Sequence, residues 1–186
     1  MRYFKKSSVF LLLLCATSLV YAGSSIQIKS AELQSLDEHY SLNADVEIGF
    51  DAEIEEAINK GVPLNFLVEF QIVSPRQYWF DDEIVTTSQN VTLSYHALAK
   101  QYLVNRGAHQ KSFETLSEAK QALAELSDWK VVEKSLIEKN EVYNAALLIR
   151  LDQTKLPKAI QVDAISSEKW NLSSQKFEWA LKDIKQ

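Results

Sequence analysis

The stretch YSLNADVEIGF, residues 40–50, decides the fold class of this chain. Apolar side chains occupy every second position from Tyr40 to Phe50, and polar or small residues stand between them. Neighbouring residues of a strand point to opposite faces, so this alternation predicts a β-strand with one buried and one wetter face. Strands of this kind are typical of antiparallel sheets.

A second stretch, LNFLVEFQIV at residues 64–73, alternates in the same way. Its other face carries Leu67 and Val73 as well as Glu69, which indicates a more central strand. Residues 143–151 form a third clear alternation. Weaker strand patterns occupy residues 26–36 and 170–181.

Residues 91–104 fit two patterns. Their first half alternates as a strand does, while Tyr95, Leu98 and Tyr102 lie on a helical stripe. The β-branched and aromatic residues that open the segment favour a strand. We therefore predict a strand that bends near Ala97 and ends at Arg106-Gly107.

Two segments predict short helices. Asp51 can cap a helix that runs to Lys60, with Gly61 as its stop. Thr115 and Glu118 have the spacing of a capping box at the start of a second helix. The predicted fold class is α+β: mainly an antiparallel β-sheet or sandwich, with two short helices packed on it.

The N-terminus has the three parts of a secretory signal. Three basic residues precede an unbroken apolar run at residues 9–15, and Ala22 provides a small residue before the cut. The run is too short for a membrane-spanning helix, which needs about 20 apolar residues. We expect residues 1–22 to be a cleaved signal peptide and residues 23–186 to be a single periplasmic domain without a transmembrane segment.

Removal of this signal changes the charge and the cysteine content. It takes away three basic residues, so 164 residues with 17 basic and 25 acidic side chains remain, a net charge of −8. Such a domain is a poor nucleic-acid binder, because neutralisation of phosphates dominates that affinity. Cys15, the one cysteine of the chain, leaves with the signal, so no disulfide is expected and stability must come from the core.

The sequence contains no recognisable catalytic motif. None of its three histidines stands at metal-ligand spacing from another histidine or from cysteine, and no nucleophile elbow or phosphate loop occurs. The acidic run of residues 81–83 lacks the spacing of a calcium loop and is typical of a charged hairpin tip. We therefore predict no catalytic residues, no metal and no cofactor, and a protein that is not an enzyme.

The most informative segment for binding is residues 75–82. Arg76, Tyr78, Trp79 and Phe80 follow one another within five positions. Three consecutive rings cannot all face one core from an extended chain, so at least one of them should lie on the other face or at the rim. Exposed aromatic residues with arginine are frequent binding hot spots. If a second layer covers the other face, all three rings are instead core residues.

Tyr95 and His96 complete the candidate binding residues. They lie in the segment LSYHAL, residues 93–98, which combines an aromatic ring with an imidazole. For His96 a hydrogen-bonded structural role competes with binding, because the sequence shows no catalytic partner for it. His39 and His109 stand in turn-like contexts and are expected to be solvated.

Five short phrases occur in a characteristic order along the chain. They are GVPL (61–64), PRQYWFD (75–81), LSYHAL (93–98), LPK (156–158) and WNLSS (170–174). This ordered set resembles DUF4390, an exported proteobacterial family of unknown function whose members are sometimes labelled proline-rich signal peptide proteins. The resemblance implies an extracytoplasmic location and a single domain, and it supplies no catalytic residues.

These observations favour a domain that binds a protein partner in the cell envelope without catalysing a reaction. Genes of the resembled family often neighbour those of a nitrogen-regulation-type sensor kinase, so the resemblance implies a membrane sensor kinase as the partner. The alternative is a small-ligand or lipid-binding domain, with its pocket between the sheet and a helix.

Overall fold

The computed structural model describes residues 24–138, 141–166 and 168–181, so the predicted signal peptide lies outside the described residues. The described residues form two antiparallel sheets and three α-helices, which confirms the α+β class. The strands are β1 Ser25–Leu36, β2 His39–Gly49, β3 Leu64–Ser74, β4 Asp82–His96, β5 Gln101–Arg106, β6 His109–Phe113, β7 Leu126–Glu133, β8 Tyr143–Leu151 and β9 Phe177–Leu181. The helices are α1 Ala52–Asn59, α2 Leu116–Ala124 and α3 Lys158–Ser166.

The smaller sheet has the strand order β1-β2-β7, and the larger sheet has the order β6-β5-β4-β3-β8-β9. Strand β3 lies between β4 and β8, as the apolar residues on both of its faces predict. Its inward side chains are almost completely buried, whereas those of the other face are half-buried. The two sheets meet where Trp129 of β7 packs edge-on against Phe70 of β3, with 6.4 Å between the ring centroids.

The two predicted helices begin where their caps place them. The Asp51 carboxylate accepts a hydrogen bond from the Ile54 amide at 2.9 Å, and Gly61 follows the helix with a φ of 89°, which glycine adopts without strain. At α2 the Glu118 amide donates to the Thr115 hydroxyl, and the Thr115 amide donates to the Glu118 carboxylate. The capping box is therefore complete.

Helix α3 was not predicted, because its apolar residues do not follow a helical period. Ile160, Val162 and Ala164 alternate as they would in a strand. The helix begins directly after Pro157, whose carbonyl accepts hydrogen bonds from the amides of Ile160 and Gln161. A proline at this end fixes φ without losing a helical hydrogen bond, so the start is favoured even though the pattern is ambiguous.

The segment 91–104 is extended, as predicted, but the expected bend is a complete reversal. Strand β4 ends at His96, a turn follows, and β5 runs back beside β4. Tyr95 pairs with Tyr102 across this hairpin, so two residues of the apparent helical stripe lie side by side on two strands, while Leu98 lies in the turn between them. Lys100, the last residue of the turn, has a left-handed backbone conformation with a φ of 53°.

The weak strand pattern at residues 170–181 is only partly a strand. Trp170 ends a short 3-10 helix, Glu168–Trp170, and is buried. The next residues run beside β8, where the Leu151 amide donates to the Leu172 carbonyl at 2.7 Å. Regular pairing with β8 resumes only at Phe177. No helix in the described ranges is long and apolar enough to cross a membrane.

Candidate functional site

The loop of residues 75–81, which joins β3 to β4, presents three aromatic rings to solvent. The exposed fraction is 89% for Tyr78, 76% for Trp79 and 88% for Phe80. Pro75 ends the ladder of β3, so the chain leaves the sheet before the rings begin. All three rings are therefore outside the core, where the sequence required only one to be.

Arg76 holds the base of this aromatic loop. Its backbone amide donates to the Asp81 carboxylate at 3.2 Å, and its guanidinium forms an ion pair with the Asp82 carboxylate. These contacts tie the two ends of the loop together, and the three rings between them are exposed. Arg76 is thus a surface residue, as the binding hypothesis needs, but its charge is already compensated by Asp82.

The acidic run beside the loop has structural partners. Asp81 and Asp82 contact Arg76, and the Glu83 carboxylate accepts a hydrogen bond from the Gln71 amide at 3.1 Å. Among the residues that the structure describes, no group of three His, Cys, Asp or Glu side chains could hold a metal ion. The run is part of a hairpin tip, as its sequence predicts.

Tyr95 and His96 lie at the other end of β4 and belong to a different surface. The Tyr95 ring is half-buried, with its centroid 4.9 Å from that of Tyr102, and the Tyr102 hydroxyl donates to Asn59 at 2.6 Å. His96 is exposed, and its Nδ1 accepts a hydrogen bond from the Ala99 amide at 3.2 Å. At about 3.3 Å per residue, some 45 Å of strand separates this turn from the aromatic loop.

The six predicted binding residues therefore form two groups. Four of them share the aromatic loop, while Tyr95 and His96 close the β4–β5 turn. His39 is only partly solvated: the residue is half-buried, and its Nε2 atom is buried without a hydrogen-bond partner among the described residues. The short turn before β2 places His39 in the ladder, where it pairs with Leu36 and Glu133. His109 is exposed, as expected.

A cleft of about 760 Å³ was not predicted from the sequence. The cleft lies beside residues 88–92 of β4, next to the end of β5 and the β5–β6 turn. Residues 127–130 of β7 line its other side. Trp129 and Lys130 form one wall, and Gln89, Arg106 and His109 lie on the other. The Gln89 amide nitrogen is buried and has no hydrogen-bond partner among the described residues.

Arg106 is the charged group that lies deepest in this cleft. Its guanidinium is 3.4 Å from the carbonyl oxygens of Ala122 and Leu123, at the C-terminal end of α2. That end carries the negative pole of the helix dipole, which favours a cation. Burial lowers the pKa of Arg106 and the nearby Glu125 opposes the shift, and the guanidinium stays charged.

Comparison with known proteins gives one result. A search of curated proteins and a search of solved structures find no match to this chain. The family model described as "Domain of unknown function (DUF4390)" matches residues 23–180. That range contains every strand and helix described above except the last residue of β9. The chain therefore belongs to the DUF4390 family, as its ordered phrases suggested.

Proposed function

We propose that this protein is an exported, non-enzymatic domain that binds a protein partner in the cell envelope through the aromatic loop. The observation that carries the proposal is the exposure of three consecutive rings, each by three quarters or more. The free energy falls when large apolar side chains are removed from water, so an exposed cluster of this kind is typical of an interaction surface. Tyrosine and tryptophan also combine a large contact area with a polar group, as hot spots require.

The location and the absence of catalysis have separate support. The signal-like N-terminus and the family resemblance support export to the periplasm. The sequence offers no catalytic motif, and the exposed rings are suited to contact rather than to bond chemistry. The resemblance makes a membrane sensor kinase the first partner to test.

The test compares Trp79→Ala with a matched surface change, Leu98→Ala, in the cells that make the protein. Leu98 is 95% exposed on the turn at the far end of β4. We expect Trp79→Ala to weaken the partner complex by about thirtyfold or more, equal to 2 kcal/mol. Both variants should melt like the original protein, because neither side chain is packed.

The readout is crosslinking in the intact envelope followed by pull-down, with melting temperatures of the purified variants. Loss of the partner with Trp79→Ala but not with Leu98→Ala supports the proposal. If Trp79→Ala, Tyr78→Ala and Phe80→Ala all retain every partner, the aromatic loop is not the binding surface.

A second candidate function rests on another cleft. About 740 Å³ lies between the small sheet and helix α2, where apolar Ala44 and Val46 stand beside Lys120 and Gln121. This is the place that a small-ligand pocket between sheet and helix requires, and a cleft of this volume is within the range of ligand sites. One cavity where the two sheets meet, bordered by Val46, Phe66 and Leu126, has a volume of about 10 Å³ and is too small for a lipid chain. Native mass spectrometry of protein purified from the periplasm would reveal a co-purified ligand as added mass.

A further inference from the structure

Half of strand β4 is an open edge. Strand β3 pairs with β4 from Asp82 to Leu93, but β5 pairs only with residues 91–96. Among the described residues, no strand lies against the other edge of residues 82–90. No backbone hydrogen bond outside the ladders reaches it either. The amides and carbonyls on that side are therefore free to pair with another strand.

This edge differs from the others that the structure describes. Residues 84–90, IVTTSQN, contain no charge, no glycine and no proline. The other edge strands are each interrupted by charged side chains, which discourage pairing between molecules. Those side chains are Lys29 and Glu32 in β1, Lys111 in β6, Asp128, Lys130 and Glu133 in β7, and Glu178 in β9.

The two ends of the open segment complement each other in charge. Glu83 stands at its start, exposed and acidic, while its far end meets the cleft lined by Arg106, His109 and Lys130 together with one acid, Asp128. Arg106 forms no salt bridge within the described part of the chain, although Glu125 is near enough for its charge to act on it. The side-chain amide nitrogen of Gln89 has no hydrogen-bond partner there. An antiparallel arrangement of two identical segments brings the acidic start of each beside the basic end of the other.

We propose that two copies of this chain associate by pairing their open β4 edges in an antiparallel register, with residues 84–90 of each copy in the new ladder. The end of β5 at Arg106 fixes this register, because an incoming strand cannot pass it. Thr87 is the middle residue of the segment 84–90, so the twofold axis passes beside it. Glu83 then lies just beyond the end of the new ladder, next to Arg106 of the second copy. The interface uses backbone groups and not the aromatic loop, so it does not depend on the proposed function.

A single cysteine at the axis tests this register. In a full-length chain with Cys15→Ser, Thr87→Cys places two identical thiols opposite each other. Opposed residues of antiparallel strands have Cα atoms 4.5–5.5 Å apart, within the range that a disulfide spans. We expect Thr87→Cys to form a covalent dimer under mild oxidation at least tenfold faster than the control Glu178→Cys, which lies on the β9 edge.

Proline substitutions test the backbone contacts. Amides alternate along a strand, so of Thr87→Pro and Ser88→Pro one removes a hydrogen bond to β3 and the other removes an amide at the open edge. The proline variant that lacks the amide at the open edge should melt like the original protein. Its dimer dissociation constant, measured by sedimentation, should be at least tenfold larger. The matched Thr87→Ala and Ser88→Ala, which keep their amides, should remain dimeric.

Three results would overturn the proposal. One is a monomer at every concentration in sedimentation, with equal crosslinking of Thr87→Cys and Glu178→Cys. Another is a dimer that both proline variants retain. The third is a dimer that is lost with Trp79→Ala but kept by the proline variants, since this places the interface on the aromatic loop. A dimer that survives Trp79→Ala, Tyr78→Ala and Phe80→Ala, while all three variants also retain the envelope partner, defeats the proposed function alone.

Discussion

The two turns at the ends of β4 both carry aromatic side chains, and their environments are opposite. At the β4–β5 turn, Tyr95 and Tyr102 pack on each other, and Tyr102 is tied to helix α1 by its hydrogen bond to Asn59. At the β3–β4 turn, all three rings of the aromatic loop are exposed. The difference lies in pairing: Tyr95 and Tyr102 are opposed residues of two strands, whereas residues 78–80 have left the ladder. Strand register, rather than aromatic content, separates the packed end from the free end.

The largest effect should come from the packed end. Tyr95→Ala removes a half-buried ring and its contact with Tyr102, so we expect a loss of about 2 kcal/mol in the free energy of unfolding. Trp79→Ala at the free end should change it by less than about 0.5 kcal/mol. Denaturant unfolding of both variants measures the contrast, and equal losses would remove the distinction between the two ends.

Tyr102→Phe sharpens the comparison within the packed end. It deletes the hydrogen bond to Asn59 and should cost about 1 kcal/mol. Burial raises the pKa of Tyr102, and nearby Tyr95 and Glu55 add to the shift, so the folded state favours the neutral phenol. The resulting stability is complete below the unfolded tyrosine pKa near 10 and is lost as pH rises through the higher folded pKa. Titration of stability above pH 9 should show a shallower fall for Tyr102→Phe.

Thr115→Ala tests the support that helix α2 gives to the packed end, since α2 lies against β5. The hydroxyl caps the Glu118 amide, so its loss should lower the unfolding free energy by about 1 kcal/mol. Thr115→Ser retains the cap and serves as the control. An unchanged denaturation midpoint for Thr115→Ala would mean that the cap does not stabilise the helix.

The smallest effect belongs to the base of the aromatic loop. Arg76→Ala breaks an ion pair whose side chains are both about half exposed, so we expect a loss of about 0.5 kcal/mol or less. Salt screens exposed pairs, so the difference between variant and original should shrink as ionic strength rises. A loss above about 2 kcal/mol in thermal or chemical unfolding would show that the loop is part of the packed structure.

The sequence predicted strands and helices correctly where the spacing of apolar residues matches the face that is buried in the structure. The alternation in residues 40–50 and 64–73 and the caps at Asp51 and Thr115 all specify what the structure contains. Helix α3 was not predicted because its apolar residues alternate as in a strand. Which of them are buried depends on the elements packed around the helix, and the local sequence pattern does not reveal these.

The candidate site was predictable only in part. The run Tyr78-Trp79-Phe80 showed that one ring must leave the core, but the exposure of all three depends on whether a second layer covers the loop. The cleft and the open edge depend on β5 being nine residues shorter than β4, and on β7 standing opposite. The alternation of apolar residues within a strand does not reveal how long its neighbouring strand is, so these features could not be predicted.

The pairing of β3 with β8 has a consequence for how the chain reaches its folded state. It joins Phe66 to Leu151, 85 positions later, and the small sheet similarly joins Tyr40 to Val132. Loops of this length must close before the central contacts form, so folding should take milliseconds to seconds rather than microseconds. Neither sheet can be completed until most of the domain is available. A chain that remains unfolded for this time can pass through a narrow protein-conducting channel, so the strand order suits the export that we propose.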